Sequence, residues 1–359
     1  MKRRSFIKKA GTAVILLSGG IPKFLNADEI LSPPAIDTSL VSVITDKLSV
    51  DAQGKINPEK VKAMVEKAIT LATGTEKTEE AWAKIFPNYK DSEVIGLKVN
   101  STNRKLPSHP EMTYAIADSL IASGVKPSNI MIFEKLTTSL EKTGYTINDD
   151  KNKGIRCFGH DHKQLGFDKN IKAKIPSIGL DLNISRIVTE ICDYIINIPV
   201  LKNATNQSPS SGKAGVTLSL KNAYGYIPLS DFLYVPEIEG LDPIEVIEKM
   251  HSNNGNPQIA ELNSCPEIRN KTKFVILDGL LGLYEGGPFG PPQWINNQIM
   301  ASTDLVAIDS IGLKTIDAKA KEVGKSLSSP FAKHIDTSSK AGLGNSDPDK
   351  IKIKEYTFS

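Results

Sequence analysis

The segment from Glu93 to Glu134 does most to limit the folds open to this chain. Glu93–Val99 (EVIGLKV) is a short apolar run of strand type, with Asn100 at its carboxyl end. After a polar loop, Ser108-His109-Pro110-Glu111 has the form of a helix start, with Pro and an acid in the first turn. Met112, Ala115, Ile116, Leu120 and Ile121 then recur at the spacing of one helix face, and Gly124 marks the stop. Ile130–Phe133 is a second strand, ending at Glu134. A strand, a helix and a strand in succession pair in parallel through a right-handed crossover. The unit predicts an α/β fold with a mostly parallel sheet flanked by helices.

The rest of the chain is read onto that frame. Leu40–Thr45 alternates enough to be a first strand, and Asn57-Pro58-Glu59 starts a helix that Gly74 ends. Tyr194–Ile198 reads as a buried strand that Pro199 terminates, because proline cannot donate to a ladder. Phe274–Leu277 is a strand ending on Asp278-Gly279, followed by a Gly/Pro-rich loop over 280–292. Ile299–Ser302 is a short strand, and Thr303-Asp304 caps a helix from about Leu305 to Val323. Two polar insertions, about 135–185 and 226–272, interrupt this core. The first holds a strand over Lys153–Phe158 and a hairpin over 171–182. The second holds a short helix, Pro243–Met250, and an Asn/Gly-rich loop. The predicted organisation is a leader over 1–27, a linker over 28–40, an α/β domain over 41–325 and a tail over 326–359 that packs on it and closes with an edge strand, Ile351–Phe358.

With 359 residues, 40% of them hydrophobic, the chain can bury a sizeable core. Its net charge of +3 misleads about partners. Six of the 44 basic residues lie in the first 27 positions, which hold no acid; the remainder carries 38 basic against 41 acidic residues. That balance gives no electrostatic case for nucleic acid. Lys2-Arg3-Arg4-Ser5-Phe6-Ile7-Lys8 matches the twin-arginine export pattern, and Ala10–Ser18 supplies a short apolar core. The expected partner is the twin-arginine export machinery and the expected location periplasmic, with Leu25-Asn26-Ala27 as a cleavage site. The apolar run is too short to span a bilayer after cleavage. Cys157, Cys192 and Cys265 lie far apart without a CxxC pair, so no iron–sulfur cluster is expected. Cys157 and Cys192 read as small buried hydrophobes.

Asn100, Glu134, Lys202 and Asp278 each lie at or just past the carboxyl end of a predicted strand. In open parallel sheets, ligands bind in the crevice outside those ends. Lys202 and the following GVTLSLKNAYG stretch (Gly215–Gly225) carry further polar groups, including Lys221 and Asn222, among small and aliphatic residues. Lysines beside a buried strand end require either acidic neighbours or an anionic ligand. Lys98, Lys202 and Lys221 are the candidate anion holders, and Asn100 and Asn222 the orienting amides. Asp278 and Glu285 are candidate acid/base groups, and could share an oxygen-liganded divalent cation such as Mg²⁺ or Ca²⁺, the one cofactor these residues suggest. His109 is a candidate proton shuttle, with helix capping as the competing explanation. His160-Asp161-His162 has the look of a metal clip but lacks a third ligand, so it reads as a surface loop.

Six segments together resemble the family catalogued as domain of unknown function number 362. They are IGLKVN (Ile95–Asn100), SHPE (Ser108–Glu111), DYIINIPVLK (Asp193–Lys202), GVTLSLKNAYG (Gly215–Gly225), DGLLGLYEGGPFG (Asp278–Gly290) and MASTDLVAID (Met300–Asp309). The resemblance implies an α/β domain and fits a twin-arginine signal; it implies no reaction. Two departures stand out. Relatives often continue the lysine motif as Lys-x-His, where this chain has Lys202-Asn203-Ala204, and many carry ferredoxin-type cysteines that are missing here.

The expectation from the residues is an exported α/β protein with a pocket for a small anionic ligand, acting as an enzyme on a carboxylated or phosphorylated molecule. Two competing readings use the same residues. One is a periplasmic binding or accessory protein without catalysis. The other is a structural network in which lysines and carboxylates neutralise each other.

Overall fold

The computed structural model describes residues 37–206, 214–229, 238 and 240–359. The leader and residues 28–36 of the linker lie outside them. The chain enters through β1 (Ser39–Thr45) and α1 (Pro58–Thr73), which the Asn57 side chain caps and Gly74 closes in the left-handed region. Helix α2 (Thr78–Ile85), β2 (Ile95–Lys98), α3 (Pro110–Ala122) and β3 (Ile130–Glu134) follow. Next come α4 (Thr137–Lys142), β4 (Arg156–Gly159), β5 (Phe167–Ile175), β6 (Leu180–Ser185), β7 (Tyr194–Asn197), β8 (Val200–Ala204) and β9 (Gly215–Val216). The second half holds α5 (Ser219–Asn222), α6 (Pro243–His251), α7 (Gln258–Ser264), α8 (Pro266–Arg269) and β10 (Thr272–Leu283). It closes with β11 (Trp294–Ser302), α9 (Leu305–Glu322), α10 (His334–Lys340) and β12 (Ile351–Thr357).

Ten strands form one mixed, mostly parallel sheet in the order β12-β1-β11-β10-β7-β2-β3-β4, with β8 joined to β10 and β9 to β8. The β2–α3–β3 unit is parallel as its sequence predicts, with Ile95 opposite Ile130 and Lys98 opposite Phe133. Antiparallel pairing occurs where β11 joins β10 and β1, and between β8 and β9. The hairpin β5–β6 forms a sheet of its own instead of an edge of the main one.

Alternation along the strands builds two cores. Ile95, Leu97, Ile130, Ile132 and Ile196 pack with α1, α2 and α3 on one face. Met131, Phe133, Ile195, Val275 and Leu277 pack with α6, α7, α9 and the hairpin on the other. From β2 the chain moves outward to β3 and β4, then returns to place β7 on the opposite side of β2. This reversal between β2 and β7 is where an open α/β sheet forms its crevice.

Several expectations are corrected. β7 ends before Pro199 as expected, but the chain does not leave the sheet there. The Pro199 carbonyl accepts from Asp278 N at 2.8 Å, and a new strand, β8, starts at the next residue along β10. Lys202 is therefore a strand residue, not a loop residue. β10 also runs through Asp278 to Leu283, with a bulge between Gly279 and Leu281, so Asp278 is interior to a strand. Residues 135–185 contribute β4 to the main sheet beside β3. The Asn/Gly-rich stretch after α6 is the expected loop, with one short turn over Ser252–Gly255, but α7 and α8 follow it; the Gln258 side chain ties the start of α7 back to Lys249 O and Ser252. The His160-Asp161-His162 turn is not all surface. His160 is buried, donates from Nε2 to Gly225 O at 2.6 Å and accepts from Ser185 Oγ at Nδ1. Asp161 is exposed, and His162 is half-buried with Nε2 2.9 Å from Asp149 Oδ2. All three cysteines are buried and free.

Candidate functional site

The crevice at the reversal is a cleft of about 650 Å³, mouth included. Asn100, Glu134, Lys202, Lys221 and Asn222 line it. These five come from four places in the chain: just past the end of β2, the end of β3, β8 and the single turn α5, which supplies both Lys221 and Asn222. Asp309 of α9 fixes that turn by accepting from Ser219 N at 2.8 Å and Leu220 N at 3.0 Å. Burial holds the Asp309 carboxyl up at about 7, with the Asp304 charge adding to it against the hydrogen bonds from Ser219 and Leu220.

The polar groups form one network. Lys202 is buried, and Nζ donates to Asn100 Oδ1 at 2.8 Å and to Leu106 O at 3.1 Å. Asn100 Nδ2 donates to Asn222 Oδ1 at 3.1 Å, which also accepts from Lys98 Nζ at 3.2 Å. Asn222 Nδ2 donates to Asn197 Oδ1 at 2.7 Å. Lys98 sits beneath the cleft and bonds Glu134 Oε1 at 3.1 Å and Val99 O at 2.7 Å. Gly225 closes over it. A Cβ there would lie 2.7 Å from Lys98 Cε, so only glycine lets the backbone pass this close.

The lysines differ in their partners. Burial lowers Lys98, partly offset by the charge and hydrogen bond of Glu134. Burial alone would raise Glu134, but Lys98 and the Lys135 backbone N–H hold it below the usual carboxylate range. The two form a buried pair. Lys202 has no carboxylate among its hydrogen-bond partners: both bonds go to neutral oxygens, and burial pulls it down to about 7 against the charges of Glu134 and Asp278. Lys221 is likewise lowered to about 7 by burial, with Nζ 5.9 Å from the Tyr224 ring centre.

Lys98, Asn100, Lys202, Lys221 and Asn222 are thus brought together, Lys98 as the layer below. The three remaining candidates are not part of the cleft lining. Asp278 is fully buried; its Oδ2 accepts from His109 N at 2.8 Å and lies 2.7 Å from His109 Nδ1. Burial alone would lower His109, but the Asp278 carboxylate and its hydrogen bond raise it overall. His109 precedes α3 without capping it through its side chain. Glu285 is half exposed and pairs with Lys325 at 3.0 Å. The cation shared by Asp278 and Glu285 is corrected accordingly: Asp278 is engaged with His109 and backbone N–H groups, and Glu285 with a surface lysine. Among the described residues, no group of three or more His, Cys, Asp or Glu is arranged to hold a metal ion.

Sequence reasoning missed part of the lining: Thr217, Tyr224, His251, Pro288 and Phe289. Glu134 was legible as a strand-end residue, and Pro288-Phe289 falls in a Gly/Pro-rich loop. Nothing in the pattern marks His251, on the last turn of α6.

The fold and its crevice define an α/β protein whose site lies at a sheet switch point. The chain belongs to the family described as a domain of unknown function, DUF362, which matches residues 95–314 and so contains every residue of the cleft named above. No curated protein matches it. A Thermotoga maritima protein with a crystal structure from a structural genomics consortium is similar at 12% identity and a TM-score of 0.37. The similarity covers 79% of this chain and 59% of that one, so the present chain spans about 59% of that protein's length.

Proposed function

We propose that this protein binds a small carboxylated or phosphorylated molecule in the switch-point cleft and acts on it as an enzyme. The observation that carries the reading is Lys202. A buried ammonium hydrogen-bonded only to neutral oxygens is costly; the nearby charges of Glu134 and Asp278 leave its amine still lowered to about 7, and an anion in the cleft would offset the remaining cost. Asn100 and Asn222 hold the lysines in position for it. Amines that titrate near neutrality also give and take protons at neutral pH, which suits Lys202 and Lys221 to acid–base work. The twin-arginine motif at Arg3-Arg4 supports export to the periplasm as the setting.

A second reading is binding without chemistry. It is favoured by the positions of Asp278, His109 and Glu285, none of which lines the cleft.

Thermal unfolding in the presence of phosphate and of simple carboxylates tests the shared part of both readings. Anion at ten times its Kd should stabilise the native protein by about 1.4 kcal/mol. Lys202→Met should remove that gain while still unfolding cooperatively. Equal stabilisation of the variant would reject the reading, and a variant that cannot fold would favour a purely structural network.

A further inference from the structure

Both sides of the cleft deserve the same reading, because a ligand must satisfy each. Beside the lysines, the amides, Glu134 and two threonines, the lining has an apolar and aromatic part: Tyr224, Leu229, His251, Pro288 and Phe289. We infer that the ligand is an amphipathic acid, a carboxylate or phosphate ester carrying a flat apolar group that lies against Pro288 and Phe289. This rests on the anion-binding reading above and adds the class of molecule.

Three observations carry it. First, the polar tips on this side are already engaged. The Tyr224 hydroxyl donates to Met250 O, and His251 Nδ1 donates to Ile247 O at 2.9 Å. A carbonyl can only accept, so the proton sits on Nδ1. Burial, with the Lys221 charge added, holds the His251 ring far below its ordinary value, at about 3, so it adds no charge. These residues therefore offer ring surface more than hydrogen bonds.

Second, the Pro288-Phe289 segment is held in place. Asn103 Nδ2 donates to Pro288 O and to Gly290 O, each at 2.8 Å. Asn203 Oδ1 accepts from Gly287 N at 2.8 Å, and its Nδ2 donates to Tyr284 O at 2.9 Å. Two asparagines from different elements thus fix a loop rich in glycine and proline as one wall of the cleft. A surface fixed before binding loses little entropy on meeting a rigid ligand.

Third, the lysines and the fixed apolar wall line one and the same cleft. A bare anion would leave water beside Lys202 and Lys221 and so weaken their attraction for it. An apolar body on the same molecule excludes that water.

Calorimetric titration of the full protein with inorganic phosphate, acetate, benzoate and phenyl phosphate at equal ionic strength tests the inference. Benzoate should bind at least about tenfold tighter than acetate, and phenyl phosphate likewise over phosphate. Phe289→Ala should erase that preference, read as the benzoate-to-acetate and phenyl phosphate-to-phosphate affinity ratios; Phe289 is half-buried on a loop. Anions that bind through Lys202 with no gain from the ring would overturn the amphipathic ligand and leave the anion site standing. Absence of binding by all four probes, or binding that Lys202→Met does not affect, would overturn both.

Discussion

Lys202 shows what burial does to a cation whose neighbours are amides and carbonyls. Its amine falls from 10.5 to about 7, so it is charged below neutrality and uncharged above. An anion binds the charged form. Affinity for acetate, which stays ionised over the range, should be flat below pH 7 and fall towards about tenfold per pH unit above it. Stability runs the other way. The unfolded lysine keeps its proton up to about 10.5, whereas the folded one loses it near 7. The unfolded chain thus binds more protons across that window, and the ligand-free protein should gain stability as pH rises through it. Titrations of binding and of denaturation midpoint check the two signs; an affinity that does not change between pH 6 and 9 would sink the argument. Residue type made Lys202 a candidate from the sequence. Its partners did not show, because Asn100 and Leu106 lie about a hundred positions away along the chain.

At the scale of elements, the loop between β2 and α3 sets the geometry of the cleft. Ser108 Oγ donates to Ile198 O at 2.6 Å and accepts from Asn100 N at 2.8 Å, which pins the loop to the end of β7. Asn100 in turn holds Lys202. Ser108→Ala leaves a buried carbonyl and a backbone N–H unpaired and should cost about 2 kcal/mol of stability. It should also weaken anion affinity several-fold, since Asn100 loses its anchor. Denaturant unfolding and titration together check this; lost stability with unchanged affinity would show that Ser108 does not position the site. The Ser-His-Pro-Glu pattern marked this helix start correctly, yet neither polar side chain caps α3. Ser108 is spent on β7 and His109 on Asp278, a choice that depends on where distant strands lie. One strand end was misjudged for a related reason. Pro199 does end β7, but the Asp278-Gly279 pair, a terminator by local chemistry, does not end β10: β8 starts directly after Pro199 and pairs with the continuing β10.

For the whole molecule, the sheet order is what matters. The chain's return to the far side of β2 opens the crevice, and β8, extending beyond β2 along β10, carries Lys202 to its edge. A folded protein with a preformed cleft is also the kind of cargo that the twin-arginine route carries. Replacing Arg3 and Arg4 by lysine should leave the protein in the cytosolic fraction, whereas the native chain should be recovered from the periplasm. Equal periplasmic recovery of both would count against export by this pathway.

Composition and periodicity determined the α/β class, the parallel β2–α3–β3 unit, the starts of the four longest helices (α1, α3, α6 and α9) and the residue types at the rim. These follow from local rules of propensity, capping and alternation, which act over a few positions. The tertiary structure alone decided which rim residues meet. It drew Lys98, Asn100, Lys202, Lys221 and Asn222 into one network, turned Asp278 inward to His109, and sent Glu285 out to Lys325. Those outcomes depend on strand order and on the balance between burying a charge and finding it a partner, and neither is encoded within a single segment.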